Sequence, residues 1–313
     1  MSIAVIIVNW NSGNMLAQCL QCLENQTLKP DKVMVIDNAS SDNSIEVTKK
    51  YTNVTVRKLK NNLGFAGANN LALKECDSEY VALLNPDAFP EPDWLQNLHS
   101  AVVNSIDVVA FGSRQLRYSD PEILDGTGDV YHISGRVWRN GYGKRQSVGD
   151  LIAREIFSPC AAAALYCRQA ILDIGGFDED FFSYVEDIDL GFRLRLMGYK
   201  AMYVPDAVVR HVGSATTGGP RSEFALYYGH RNMVWAFIKN MPGLLLWLLL
   251  PLHIMFNIIV VIIYTTRGYG RIIVKSKLNA IKGFRTIAVK RRHIQKKRTA
   301  TIKDIWCMLN KSI

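Results

Sequence analysis

Between Gly175 and Lys200 the chain reads GGFDEDFFSYVEDIDLGFRLRLMGYK, setting Asp178, Glu186, Asp187 and Asp189 among the rings of Phe177, Phe181, Phe182 and Tyr184. Aromatic walls exclude water and raise a carboxylate's pKa towards the range of a general base. Ile188, Phe192 and Leu196 recur at spacings of four and Gly198 follows them, so a helix is predicted with Glu186, Asp187 and Asp189 in its first turn. The helix dipole favours acids there by about 0.3–1 kcal/mol. Capping alone would explain their position; it does not explain the aromatic run ahead of them.

Other polar residues with chemical potential follow apolar runs. Ile3 to Val8 leads into Asn9, Trp10, Asn11, Ser12 and Gly13, and a helix is predicted from Met15 to Leu23. Lys32 to Ile36 ends in Asp37 and Asn38, before a predicted helix from Ser44 to Tyr51. Val54 to Lys58 precedes NNLGFAGANN (Asn61 to Asn70), a glycine-rich turn whose amides could approach phosphates, with a helix continuing to about Glu75. Tyr80 to Leu84 ends in Asn85, Pro86 and Asp87, where a carboxylate can hold a divalent cation that bridges a diphosphate. Alternating strands and helices predict a mainly parallel α/β sheet with helices on both faces. In such sheets ligands bind beyond the carboxyl ends of the strands, so Asp37, the turn from Gly64 to Asn70 and Asp87 are expected to converge.

Farther on, Gly126 to Lys144 carries SerGly and AsnGly turns and is predicted to be a hairpin or flap, either structural or offering Arg and Trp to a sugar or phosphate. A small-residue strand is expected over Phe157 to Tyr166, and two short strands over Ala201 to Val204 and Val208 to Val212. His211 lies on the last of these, ahead of the loop GSATTGG, a position that suits a metal or phosphate role.

The chain of 313 residues has a formal net charge of +9, unevenly spread: from Arg267 onward fourteen Lys and Arg face a single acid, Asp304. A mildly acidic body with a basic tail points to an anionic partner for the tail. Six cysteines lack metal-ligand spacing and read as reduced core residues. Met1 runs straight into an apolar strand, with no basic region and no cleavage site, so the body is expected in the cytosol. Leu244 to Tyr264 is apolar but holds Pro251, His253 and Asn257. One span would separate a cytosolic body from a basic tail that also prefers the cytosolic side. A proline-broken helix lying in the cytosolic leaflet is therefore expected, with the tail on anionic headgroups.

The motifs VIIVNWN (from Val5), VIDNASSD (from Val35), NLGFAGANN (from Asn62), LLNPDA (from Leu83), GGFDEDFFSYVEDIDL (from Gly175) and HVGS (from His211) together resemble inverting glycosyltransferases of family 2 with the GT-A fold. Within that family the chain looks like rhamnosyltransferase-type enzymes of bacterial surface polysaccharide assembly. The resemblance covers about Ile3 to Trp235 and implies a catalytic domain over residues 1–235; the apolar run and the charge distribution add a membrane-associated segment over 236–266 and a basic tail over 267–313. It implies a nucleotide-sugar donor, dTDP-rhamnose, held by Asn9, Asn11, Asp37, Asn38, Asn62, Gly64, Gly67, Asn70 and Asn85. Asp187 would be the catalytic base, with Phe177, Asp178, Glu186 and Asp189 on the side of a glycan or polyprenyl-linked acceptor. Asp87 and His211 would bind Mg2+ or Mn2+, and Asn85 stands where the usual DxD motif has its first Asp. The partners expected are the donor, the acceptor and an anionic membrane surface, without nucleic acid, at the cytoplasmic face of the cell membrane.

Two other functions fit parts of the chain. A sugar nucleotidyltransferase normally carries a basic, Gly-rich loop after its first strand, whereas NWNSG here has no Lys or Arg. A membrane- or nucleic-acid-binding module would use the basic tail and leave the acidic aromatic stretch unexplained.

Overall fold

The computed structural model describes residues 1–105, 107–213 and 218–312. Four strands, β1 (Ile3–Asn9), β2 (Lys32–Asp37), β3 (Val54–Lys58) and β4 (Tyr80–Leu84), form a parallel block in the order β3-β2-β1-β4. Their near-continuous Val, Ile, Leu and Ala content follows from burial on both faces. Short β5 (Ala88–Pro90) leaves β4 and pairs farther along the sheet. The sheet then continues through β6 (Val108–Arg117), with β7 (Asp120–Gly126) turning back on it. A separate hairpin follows, β8 (Asp129–Tyr131) with β9 (Val137–Arg139), as the turn residues predicted.

Beyond it come β10 (Arg154–Glu155), β11 (Ala163–Cys167) and β12 (Lys200–His211). β11 is inserted antiparallel between β4 and β6, and β12 lies parallel to β6. The two strands expected at 201–204 and 208–212 are this one strand, kinked by an irregularity between Val204 and Val208 around Pro205. The strand expected from Phe157 begins only at Ala163. Helices α1 (Met15–Glu24), α2 (Gly64–Glu75), α3 (Trp94–Val103), α4 (Arg168–Asp173) and α5 (Glu186–Leu196) cover the sheet. Ser44–Lys50 is a 3₁₀ helix.

Helix α6 (Glu223–Asn240) leads into α7 (Gly243–Thr266), followed by α8 (Gly270–Lys282), α9 (Phe284–Lys297) and α10 (Ile302–Met308). Helix α7 runs through Pro251 without breaking, contrary to the expectation, although the proline leaves the Trp247 carbonyl without its helical donor. Only 22% of its most apolar stretch is buried, which separates it from an ordinary core helix. The inner side docks through His253, whose ring stacks on Phe237 with centroids 3.9 Å apart and whose Nδ1 lies 2.7 Å from the Ser134 carbonyl. Gly135 (φ +80°) permits this, because a Cβ there would stand 2.6 Å from His253 Nδ1. The basic segment does not trail away. Its helices return to α6, burying Ile273, Ala280 and Ile287, and Trp235 Nε1 donates to the Ala280 carbonyl at 3.0 Å.

Candidate active site

Beyond the carboxyl ends of β1, β2 and β4 lies a cavity of about 450 Å³, walled by Asn38, Asn62, Gly64, Asn85, Asp87, Glu186, Asp187 and His211. The hairpin closes it with Asp129, Trp138 and Arg139, and Phe182, Tyr184 and Phe224 close the opposite side.

Asp87 follows β4, and His211 ends the distant β12; pairing of His211 with Ala88 brings them together. His211 Nε2 faces Asp87 Oδ1 at 3.3 Å, while its Nδ1 meets Asp125 Oδ2 at 2.7 Å. Burial alone would lower the imidazole pKa, but the two carboxylates outweigh it and hold His211 up to about 9. Burial would likewise raise Asp125, yet Arg139 and His211 keep its carboxyl below the usual range. A carboxylate behind one imidazole nitrogen, with the other nitrogen turned towards a second carboxylate, is the arrangement that orients a metal-ligating histidine. Among the described residues no three His, Cys, Asp or Glu side chains form a group that could by itself hold a metal ion. Asp87 and His211 thus offer two protein ligands, which fits a cation completed by diphosphate oxygens and water.

Asp187 is fixed by its neighbours: Ala161 N–H donates to Oδ2 at 3.1 Å and Ile188 N–H to Oδ1 at 2.8 Å. Burial raises its pKa, and those backbone bonds and Arg139 offset only part of the rise. Burial, then the Asp187 charge, raises Glu186 and Asp129 further. The Glu186 Oε2 and Asp129 Oδ2 atoms are buried without hydrogen-bond partners.

The segment entering α5 is strained. Phe182, Tyr184 and Val185 all have φ between +65° and +70°, a region costly for β-branched or bulky residues. Helix α6 holds it there: the Asn232 amide donates to the carbonyls of Phe181, Ser183 and Tyr184 at 2.9, 3.0 and 2.7 Å. Arg231 donates to the Asp180 and Phe181 carbonyls at 2.7 and 3.1 Å. Gly64 (φ +71°) lies against the same segment, where a Cβ would come within 2.3 Å of the Phe182 carbonyl oxygen.

The remaining sequence candidates lie outside this cavity. Asn9 donates to Asp37 Oδ1 at 3.2 Å and Asn11 accepts from Ser41 N–H at 2.8 Å, tying the first two loops together. The glycine-rich turn is helical from Gly64 onward, so Gly67 and Asn70 sit within α2. Asn70 donates to the Phe177 carbonyl and accepts from its N–H, pinning α2 to the acidic stretch while Phe177 enters the core. Asp178 is gripped by Lys239 and Lys290, and Asp189 by Lys239 (2.8 Å), Arg193 (2.8 Å) and Asn240 (2.7 Å). These two acids fasten α6 and α9 to the body and do not face the cavity. Residues 214–217 of the loop after His211 lie outside the described residues.

Asp125, Arg139, Asp129 and Asn232 escaped the sequence reading. Only the Arg and Trp of the hairpin gave any signal; Asp125 and Asn232 take their roles from partners 86 and 48–51 residues distant.

Comparison with known proteins follows the same outline. The description "Glycosyl transferase family 2" matches residues 4–175. The O-antigen chain rhamnosyltransferase RfbN of Salmonella typhimurium is 27% identical over 231 residues, covering 73% of this chain and 71% of its own. The N-acetylglucosaminyl-diphospho-decaprenol L-rhamnosyltransferase of Mycobacterium tuberculosis is 28% identical over 260 residues, covering 75% and 83%. The mannosyltransferase PcManGT from Pyrobaculum calidifontis, solved with GDP-Man and Mn2+, aligns over 97% of this chain and 87% of its own, with TM-score 0.56 and 17% identity. GalNAc-T7, solved with UDP, GalNAc and Mn2+, aligns over 76% of this chain with TM-score 0.63 and 13% identity; the alignment spans about half of that chain (48%). At such identities the likeness is one of fold, the GT-A fold.

Proposed function

The chain belongs to glycosyl transferase family 2, and from that premise we propose that it moves rhamnose from dTDP-rhamnose to a hydroxyl of a polyprenyl-linked glycan, with inversion. Membership in a glycosyltransferase family removes the nucleotidyltransferase and non-catalytic readings. The sugar and the lipid-linked acceptor are supported by the names of the two bacterial relatives. The observation that carries the reaction type is that Asp187, a fixed carboxylate with a raised pKa, shares one cavity with the Asp87–His211 pair.

Asp187 takes the proton as the acceptor oxygen attacks the anomeric carbon. The bond from that carbon to the diphosphate oxygen breaks, and the nucleoside diphosphate leaves from the opposite face. One displacement inverts the configuration. A divalent cation, Mg2+ or Mn2+, held by Asp87 and His211 Nε2 would neutralise charge on the departing diphosphate. Asn38, Asn62 and Gly64 line the donor side of the cavity, and Trp138 and Phe182 help to exclude water.

Residues 1–235 would hold the chemistry, and 236–266 with 267–313 the attachment to the cytoplasmic face of the membrane. The exposed face of α7, including Trp247, Leu248, Ile254, Ile258 and Ile262, supports burial in lipid. The helices before and after α7 pack on each other: α8 meets α6 through Lys277 Nζ and the His230 carbonyl (2.8 Å). That supports a helix lying in one leaflet over one that crosses.

A thermal-shift and donor-hydrolysis panel of nucleotide sugars, with and without Mg2+ or Mn2+, tests this reading. Stabilisation or slow hydrolysis with dTDP-rhamnose, lost in Asp87→Ala, is expected. A response to a different donor would replace the sugar, and silence towards every donor would overturn the reading.

A further inference from the structure

Phe224 lines the cavity, and from it a row of rings continues along α6. Its centroid lies 4.7 Å from that of Tyr228, and Tyr228 lies 5.0 Å from Tyr227. The spacing of 224, 227 and 228 puts all three on one helix face. Each ring is part-exposed and absent from the buried core; Phe182 stacks on Tyr228 with centroids 5.2 Å apart, and Asn279 Nδ2 donates to the Tyr227 hydroxyl at 2.8 Å, so the row is held in place with part of each ring open to solvent. Arg231 stands under Tyr227 and Tyr228, 5.5 and 4.8 Å from their centroids, and keeps the row rigid. At its far end Lys275 of α8, an exposed residue, reaches over Tyr227 with Nζ 5.7 Å from the ring. Next to Lys275, α8 exposes Val274 and Leu278, at 42% and 54%.

We propose that this row is the acceptor's track, with the acceptor sugar on Phe224 and Tyr228, its diphosphate at Lys275, and its isoprenoid chain leaving over Val274 and Leu278. This deepens the glycosyl-transfer reading and rests on it. The argument is the order of chemistries: a carboxylate pocket, aromatic faces, a cation, then an apolar surface. A soluble glycan would use only the first two and a phospholipid only the last two. A sugar joined through a diphosphate to a polyprenol uses all four in sequence. Aromatic faces accept the C–H face of a sugar, and an exposed ammonium binds phosphate as a point charge.

Farnesyl diphosphate, titrated calorimetrically into the full chain in EDTA, isolates the track from any cation-dependent donor site. The wild type is expected to bind it, Lys275→Gln to weaken binding about tenfold, the scale of one charge-assisted contact, and Tyr227→Ala to weaken it as well by removing the ring over which Lys275 lies. Tyr227→Phe keeps the ring and should bind like the wild type. Lys275 is exposed, so its variant folds even if Tyr227→Ala does not. Unchanged affinity in Lys275→Gln, or farnesol or inorganic pyrophosphate binding as tightly as farnesyl diphosphate, would overturn the track. The donor panel is independent of this titration. A donor response without farnesyl diphosphate binding removes the track alone, and binding without any donor response removes the transfer reading.

Discussion

His211 Nδ1 lies 2.7 Å from Asp125 Oδ2, so one buried carboxylate sets the direction in which the other imidazole nitrogen points, towards Asp87. Asp125→Asn keeps the shape and removes the charge. An outer-shell partner of this kind is typically worth about 10–100-fold in metal affinity. The Mn2+ concentration giving half-maximal donor hydrolysis should rise by that factor, while dTDP binding in EDTA stays the same. An unshifted Mn2+ titration would dissociate Asp125 from the cation site.

Asp187→Asn should lower kcat by about 10²–10⁴-fold, the usual contribution of a positioned base, with the donor KM little changed. Because burial raises the Asp187 pKa, the working, deprotonated form is lost as pH falls through a value above the ordinary aspartate range. The wild type should therefore show an acidic limb in kcat/KM displaced upward from about 3.9. Residual activity of the variant should lack that limb; a variant that keeps it would assign the titration to another group.

Asn232→Ala removes the amide that three carbonyls share beside the strained run of Phe182, Tyr184 and Val185, and of the three the Phe181 carbonyl keeps Arg231. Leaving a buried acceptor unmet costs about 1–3 kcal/mol. The expected result is a lower urea midpoint together with a fall in kcat, because the segment leads directly into Glu186 and Asp187. Restored kcat at saturating donor would show that the amide supports stability alone.

Lys239→Met should destabilise by about 3–5 kcal/mol, the cost of removing one partner from a buried ion pair, read from urea unfolding at constant m. Its loss leaves Asp189 with Arg193 and the Asn240 amide, and Asp178 with Lys290 as its remaining cation. Burial would raise Asp178, but Lys239 and Lys290 outweigh it and hold its carboxyl well below the usual range. The stability this supplies is complete above the ordinary carboxylate range and lost as pH falls through the depressed value. In the variant the Asp178 pKa moves up, so acid unfolding should begin at a higher pH.

The places of three residues at the ends of elements were legible: Asp87 follows a strand, His211 closes one, and Asp187 lies in the first turn of a helix. Period and turn residues told that much. The acids at 178 and 189 looked equally functional, but their partner Lys239 lies 61 and 50 residues on, and no local pattern announces such a bond. Asn70 misled for the same reason: a glycine-rich stretch reads as a loop, whereas its small residues let α2 pack closely on the sheet from Gly64 onward. The proline in α7 read as a break, whereas the helix continues through it with one backbone hydrogen bond missing. Asp125 and Asn232 carried no signal, since each acts through a single distant partner element.

The hairpin that walls the cavity has one more neighbour: Asn310 N–H bonds the Tyr131 carbonyl at 2.9 Å, and Ile133 N–H bonds the Asn310 carbonyl at 3.0 Å. On the ribosome, every residue of the cavity is made before Asn310, and α7 emerges between them. The wall of the cavity therefore gains this last pairing only after α7 has been made, so the direction of translation sets the order in which the two are completed.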